Sequence, residues 1–200
     1  MSRWLALLLL IAGGSCANAS DTVRERLESV ALLRGEFEQV KHVQGFRHPL
    51  RSSGIFVLAR EHGVIWETRE PFPSLVVASP EQVVAIEGEG RRDVLVDGAG
   101  TPGARAANAL LLALIGGDID ALAARFELRE TALPDGGWRL ELLPRAAELK
   151  RALTRVTLSG DRHVREAAIE EVGGDRSEIR FSQLSSSPST LSAEEASRFD

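Results

Sequence analysis

The feature that most constrains this chain is its run of short extended stretches, each closed by turn-forming residues. "GIFVLAREHGVIWETREP", residues 54 to 71, shows the pattern most fully. Strand-forming residues fill 53 to 60, a turn around Gly63 spans 61 to 63, and a second strand fills 64 to 69. "SLVVASP" and "QVVAIEG" read as two more strands, parted by Ser79, Pro80 and Glu81, and "RRDVLVDG" as another, set off by Gly88 and Gly90. Extended segments also read over "RGEFEQVKHVQGF" and, later, near 126–132, 137–143, 153–159, 164–170 and 177–184. "LPDGGW" and "SGDRH" supply turn chemistry between them. Short strands at this spacing, joined by turns, predict a meander of antiparallel strands. With about eleven strands, a single sheet curls or closes. The class is mostly β with helices.

Three helices are expected around the strands. Asp21 can cap the first, with Val23, Leu27, Val30 and Ala31 at helical spacing. Asn108 can cap an apolar helix from Ala109 to Ile115 that ends at Gly116 and Gly117, and Asp118 can cap a short third one. The polar tail "SSSPSTLSAEEASRFD" offers Leu191 and Phe199 for packing.

The N-terminus reads as a secretory signal. Arg3 precedes an apolar run from Trp4 to Ala12, then small residues and the A-x-A site Ala17-Asn18-Ala19. The expected organisation is a signal peptide over 1–19, cleaved after Ala19, and one exported domain over 20–200. Cys16 has two readings. It leaves with the signal, or it is a lipid-attachment cysteine, although Gly13 stands where that signal normally has leucine.

A formal net charge of -5 on 200 residues provides no basic footprint for nucleic acid. His42, His48, His62 and His163 are scattered and none pairs at metal-ligand spacing. No nucleophile elbow or phosphate-binding glycine loop occurs, so no enzyme, metal or cofactor is expected. Apolar residues on the strands remain: Phe56, Leu58, Val64, Trp66, Val76 and Ile86. They form either an ordinary core or the wall of a cavity. Arg60 shares the alternation phase of Phe56 and Leu58. An unpaired guanidinium in a dry core is costly. The arginine therefore either ends its strand and reaches solvent, or bonds backbone carbonyls of a covering segment.

At these residues the chain resembles the periplasmic lipoprotein carrier family, LolA. "LRGEFEQVK", with Phe37 and Gln39, is similar to the family's F-x-Q entry into its first strand. Gly54, Arg60, Trp66 and Pro71 match, in order and spacing, its glycine, strand-ending arginine, tryptophan and proline. The resemblance extends over most of 21–200 and is specific between about 33 and 77. It implies an incomplete, strongly curved antiparallel β-barrel with a helical lid, holding acyl chains in an apolar cavity. On that reading Arg60 latches the lid, and the cavity is lined by Phe37, Phe56, Leu58, Val64, Trp66, Val76 and Ile86, with Leu111 and Leu114 from the lid helix. The implied partners are acylated cargo, an inner-membrane transporter as donor and an outer-membrane acceptor lipoprotein, with the carrier a monomer. This sequence has Glu61 where the family usually has proline after its arginine, and Ser79-Pro80 where it usually has a D-G turn. Two alternatives accompany the lipoprotein carrier: a LolA-like carrier of another lipid or polyene-lipid, and an anchored LolB-like acceptor lipoprotein.

Overall fold

The computed structural model describes residues 19–28, 30–87, 91–96, 112–113 and 116–199. Eleven strands form one antiparallel sheet: β1 (Leu32–His42), β2 (Leu50–Ala59), β3 (Gly63–Glu70), β4 (Ser74–Ala78), β5 (Val83–Glu87), β6 (Arg91–Val96), β7 (Phe126–Ala132), β8 (Trp138–Pro144), β9 (Leu153–Gly160), β10 (Val164–Glu171) and β11 (Arg176–Ser185). Their order is β6-β5-β4-β3-β2-β1-β11-β10-β9-β8-β7. Two meanders, β1–β6 and β7–β11, are joined where β1 pairs with β11. The outer strands β6 and β7 do not pair with each other, so the barrel stays open.

Side-chain alternation divides the sheet into two faces. Across the paired positions, Leu33, Phe37, Phe56, Leu58, Val64, Phe181, Ala167, Leu158, Val156, Leu140, Leu142 and Phe126 fall on one face and merge into the larger core. We call this the inner face. The outer face differs between the meanders. Over β7–β11 it is charged, with Arg155 bridging Glu141 and Glu170. Over β1–β4 it is apolar: Leu32, Val57, Ala59, Ile65 and Val77 form a second cluster. "IFVLA" is accordingly a continuous apolar run, as a strand buried on both faces requires. The cover on that outer side is the C-terminal segment, which packs Leu191 and Phe199 onto the cluster.

Four short helices have both ends among the described residues: α1 (Ala19–Arg26), α2 (Ile119–Ala123), α3 (Ala147–Ala152) and α4 (Ala193–Phe199). Helix α1 ends five residues before Ala31, which the helical spacing had included. The carbonyl of Ala31 instead accepts the N–H of Arg60 at 2.9 Å, so tertiary pairing extends the β1–β2 ladder and overrides local periodicity. Asp118 caps α2 as expected, its carboxylate accepting Ala121 N–H at 3.0 Å. Of the expected helix at Ala109–Ile115, Leu112 and Ala113 are described and helical; the other positions lie outside the described residues. This helix ends at Gly117, with φ +62°, and Asp118 N–H bonds back to Ala113 O, a Schellman closure. Helices α3 and α4 are additions to the sequence reading. Each is too short for a periodic signal, and α3 is placed by the burial of Leu149.

Candidate functional site: the apolar inner face and its cover

The inner face is densest in aromatic rings where β11, β1, β2 and β3 lie side by side. Phe37 stacks on Trp66 with ring centroids 3.9 Å apart, and Phe181 meets Phe56 edge-on at 5.3 Å. Gly54 makes this possible: it pairs with Phe37 and carries no side chain, and the Phe37 ring lies 3.0 Å from where its Cβ would be. Farther along, Trp138 is fully buried and donates its indole N–H to the Asp161 carbonyl at 2.6 Å. Burying the ring with its one polar atom satisfied is the favourable way to use tryptophan in a core.

The cover consists of short helices. Val23 of α1 and Ile119 and Leu122 of α2 are buried in the core, and Leu27, Leu112 and Ala113 pack with them. Polar contacts lie around the cover's edge. Arg24 of α1 pairs with Asp120 of α2, Arg26 donates to the carbonyls of Gly136 and Gly137 at 2.6 and 2.9 Å, and Arg162 pairs with Glu28 at 2.6 Å. These pairs are partly exposed, so each contributes about 0–1 kcal/mol, well below the apolar contacts they surround.

Arg60 lies one residue past the end of β2 and is exposed. Its Nε donates to the Val30 carbonyl at 3.2 Å. That carbonyl belongs to the segment between α1 and β1, so this bond ties β2 to the chain that descends from α1. The expected partners, carbonyls of a lid made of the helix around Ala109–Ile115 and the loop before it, fall mostly outside the described residues; among the described residues the carbonyl is that of Val30. Arg60 nonetheless faces that helix across a cleft of about 210 Å³ lined by Leu58, Gly63, Pro80, Leu112, Ala113 and Gly116 among others.

Of the residues expected to line a cavity, Phe37, Phe56, Leu58, Val64 and Trp66 come together on the inner face, with Val76 paired to Trp66 beside them. Ile86 is a correction. It pairs with Leu75 and packs on the second cluster, on the outer face. "VVAI" is apolar at every position, so its alternation phase is set by register with β4 and cannot be read locally. Leu111 and Leu114 lie outside the described residues. The sequence reading missed the contribution of the second meander: Trp138, Leu140, Leu142, Val156, Leu158 and Phe181. The alternation in "WRLEL" could have revealed part of it. Glu130 also pairs with Leu140 on this face, and its carboxylate oxygens are buried.

The architecture is an open antiparallel half-barrel whose apolar inner face is covered by short helices instead of a second sheet. The family model for the outer membrane lipoprotein carrier protein LolA matches residues 28–194. An outer-membrane lipoprotein carrier protein of Methylibium petroleiphilum is 31% identical over 184 residues, covering 90% of this chain and 85% of that protein. Among solved structures, a LolA superfamily protein from Nitrosomonas europaea is 10% identical, with a TM-score of 0.43 over 83% of this chain and 92% of that one. MucB is 18% identical, with a TM-score of 0.49 over 90% of this chain and 63% of that one. The chain belongs to the LolA family.

Proposed function

We propose that this protein is a periplasmic carrier that shields the acyl chains of lipoproteins on its inner face and moves them from the inner to the outer membrane. The observation that carries this is the cover: a continuous apolar face closed by separate short helices, whose edge contacts are weak and solvent-exposed. Such a cover can move aside without breaking the sheet. The cleft beside Arg60, about 210 Å³, is smaller than the roughly 300–1,000 Å³ usual for ligand pockets. Cargo therefore enters by displacing the helices. Burying acyl chains gains about 0.8 kcal/mol per CH₂, and part of that is spent on opening.

In this scheme Arg60 holds the closed state through the Val30 carbonyl, and the rings of Phe37, Phe56 and Trp66 with Leu58, Val64 and Val76 meet the chains. Leu111 and Leu114 would meet them from the covering helix. The protein performs no chemistry of its own. It works as a monomeric single domain over 20–200 after signal cleavage at Ala19. It receives cargo from an inner-membrane transporter and gives it to an outer-membrane acceptor lipoprotein. The membership in a family of lipoprotein carriers and the 31%-identical relative support this reading.

The test is native mass spectrometry with lipid extraction on the processed protein purified from periplasm. A stoichiometric triacylated species is the expected result. A free lipid or polyene in its place would retain the carrier and change the cargo. Empty protein that also takes up no fluorescent acyl probe would refute the proposal. The intact mass checks the N-terminus at Ser20 as well, because a chain lipidated at Cys16 would be an anchored acceptor.

A further inference from the structure

Large apolar side chains are exposed at one end of the sheet. Phe46 is 66% exposed and Leu50 52%, both on or beside the β1–β2 turn; Phe72 is 80% exposed on the β3–β4 turn, and Val172 56% on the β10–β11 turn. All three turns lie at the same end of the sheet, opposite the β2–β3 turn that carries Arg60's cleft. They are neighbours. Gln44 N–H bonds the Asp175 carboxylate at 2.8 Å, joining the β1–β2 and β10–β11 turns. Ser53 pairs with Glu70, placing Leu50, the first residue of β2, and Phe72, two residues past β3, at adjacent strand ends. Phe72 is flanked by Pro71 and Pro73, which limit its backbone freedom.

Charge accompanies these tips. The stretch 41–51 contains Lys41, Arg47 and Arg51 and no acidic residue, in a chain of net charge -5. Lys41 faces Glu171 and Asp175 at 3.4 and 3.7 Å. Arg47 and Arg51 have no ion pair among the described residues; Glu70 and Glu178 are acids on nearby strands, and Glu178 pairs with Arg176 at 2.8 Å. Separate exposed side chains on turns at one end of the sheet, with guanidiniums beside them that have no ion pair among the described residues, do not resemble the packed centre of a protein interface, where anchors converge on a pocket. They suit a planar amphipathic boundary, in which rings sink to the headgroup level and guanidiniums take phosphate oxygens.

We propose that this end of the half-barrel docks onto a phospholipid surface, with Phe46, Leu50 and Phe72 inserted at the interface and Arg47 and Arg51 on lipid phosphates. The docking stands on surface side chains and is independent of what the inner face carries.

Vesicle flotation of the processed protein tests it, using phosphatidylethanolamine with phosphatidylglycerol against phosphatidylcholine alone. Wild type should float with the anionic vesicles, and more weakly at high salt and with phosphatidylcholine. The Phe46→Ser/Phe72→Ser variant should lose at least fivefold in bound fraction and Arg47→Gln/Arg51→Gln severalfold. All four sites are exposed, so folding should be unchanged by circular dichroism. Val94→Ser/Leu95→Ser removes exposed apolar side chains from the edge strand β6 and should change nothing. A Phe72→Trp reporter should shift to the blue on adding vesicles. Wild type that stays in solution, tip variants that float equally, or equal loss in the β6 control would each overturn the proposal. Binding seen only with native membranes, and abolished by protease treatment of those membranes, would assign the tips to a protein and overturn it too.

Discussion

Arg34 is the side chain on which the outer cover depends. On β1's outer face it donates to both carboxylate oxygens of Glu195, at 2.7 and 2.6 Å, and to the carbonyls of Pro188 and Thr190 at 2.7 and 3.0 Å. The hydrogen bonds from Arg34, helped by Ser192 against the opposing effect of burial, hold the Glu195 carboxyl at about 2. Its folded value lies below the unfolded one, so the carboxylate stabilises the fold above the ordinary glutamate range. That contribution is lost as pH falls through about 2. Glu195→Gln should therefore cost about 1–2 kcal/mol at neutral pH and nothing in strong acid, as thermal melts across pH would show. Gly54 acts by absence. A Cβ there would collide with the Glu67 carbonyl oxygen, a backbone atom that cannot rotate away. Gly54→Ala should lower stability by about 1–3 kcal/mol, read from the urea midpoint. Arg60 offers a functional contrast. Its side chain is exposed, so Arg60→Leu should leave the melting temperature nearly unchanged while slowing cargo transfer to acceptor membranes. Equal transfer rates would reduce Arg60 to a strand terminator.

Among the elements, the C-terminal segment with α4 has the clearest separate role. It covers Leu32, Val57, Ala59, Ile65 and Val77 without joining the sheet, and Arg198 ties α4 to Glu67 of β3 at 3.2 Å. Truncation after Ser185 should leave the eleven strands in place, because their ladders end there. It should uncover an apolar patch, raise the binding of a hydrophobic dye and promote self-association in sedimentation. The strand elements themselves were legible in the sequence. β7 occupies 126–132 as the pattern indicates, and the others differ by a few residues at their ends. Turn residues and β-branched runs are local signals. The short helices α3 and α4 were not legible, because six or seven residues give too little periodicity, and burial of Leu149 or Phe199 depends on a distant strand.

The whole molecule is held together by the β1–β11 pairing and by a core that crosses it. The larger cluster contains Phe56 and Val64 from the first meander and Trp138, Leu140 and Leu158 from the second. Neither meander can bury its inner face alone. The two halves should therefore unfold in one transition. Trp66 and Trp138 report one half each, so Trp66→Phe and Trp138→Phe proteins should give coincident fluorescence curves in urea. Separate midpoints would show that the halves are independent.

The sequence by itself determined that the chain makes about eleven short antiparallel strands. It also identified the span from Phe37 to Pro71 as LolA-like, because side-chain alternation, turn chemistry and that motif are local properties. Which face an all-apolar strand presents was decided only in the tertiary structure. Ile86 and Phe56 look alike in sequence and lie on opposite faces, because register with a neighbouring strand fixes the phase. The partner of Arg60 was likewise open in the sequence. The ladder that draws Ala31 toward Arg60 also brings the Val30 carbonyl within reach, and no spacing along the chain encodes a contact across thirty residues.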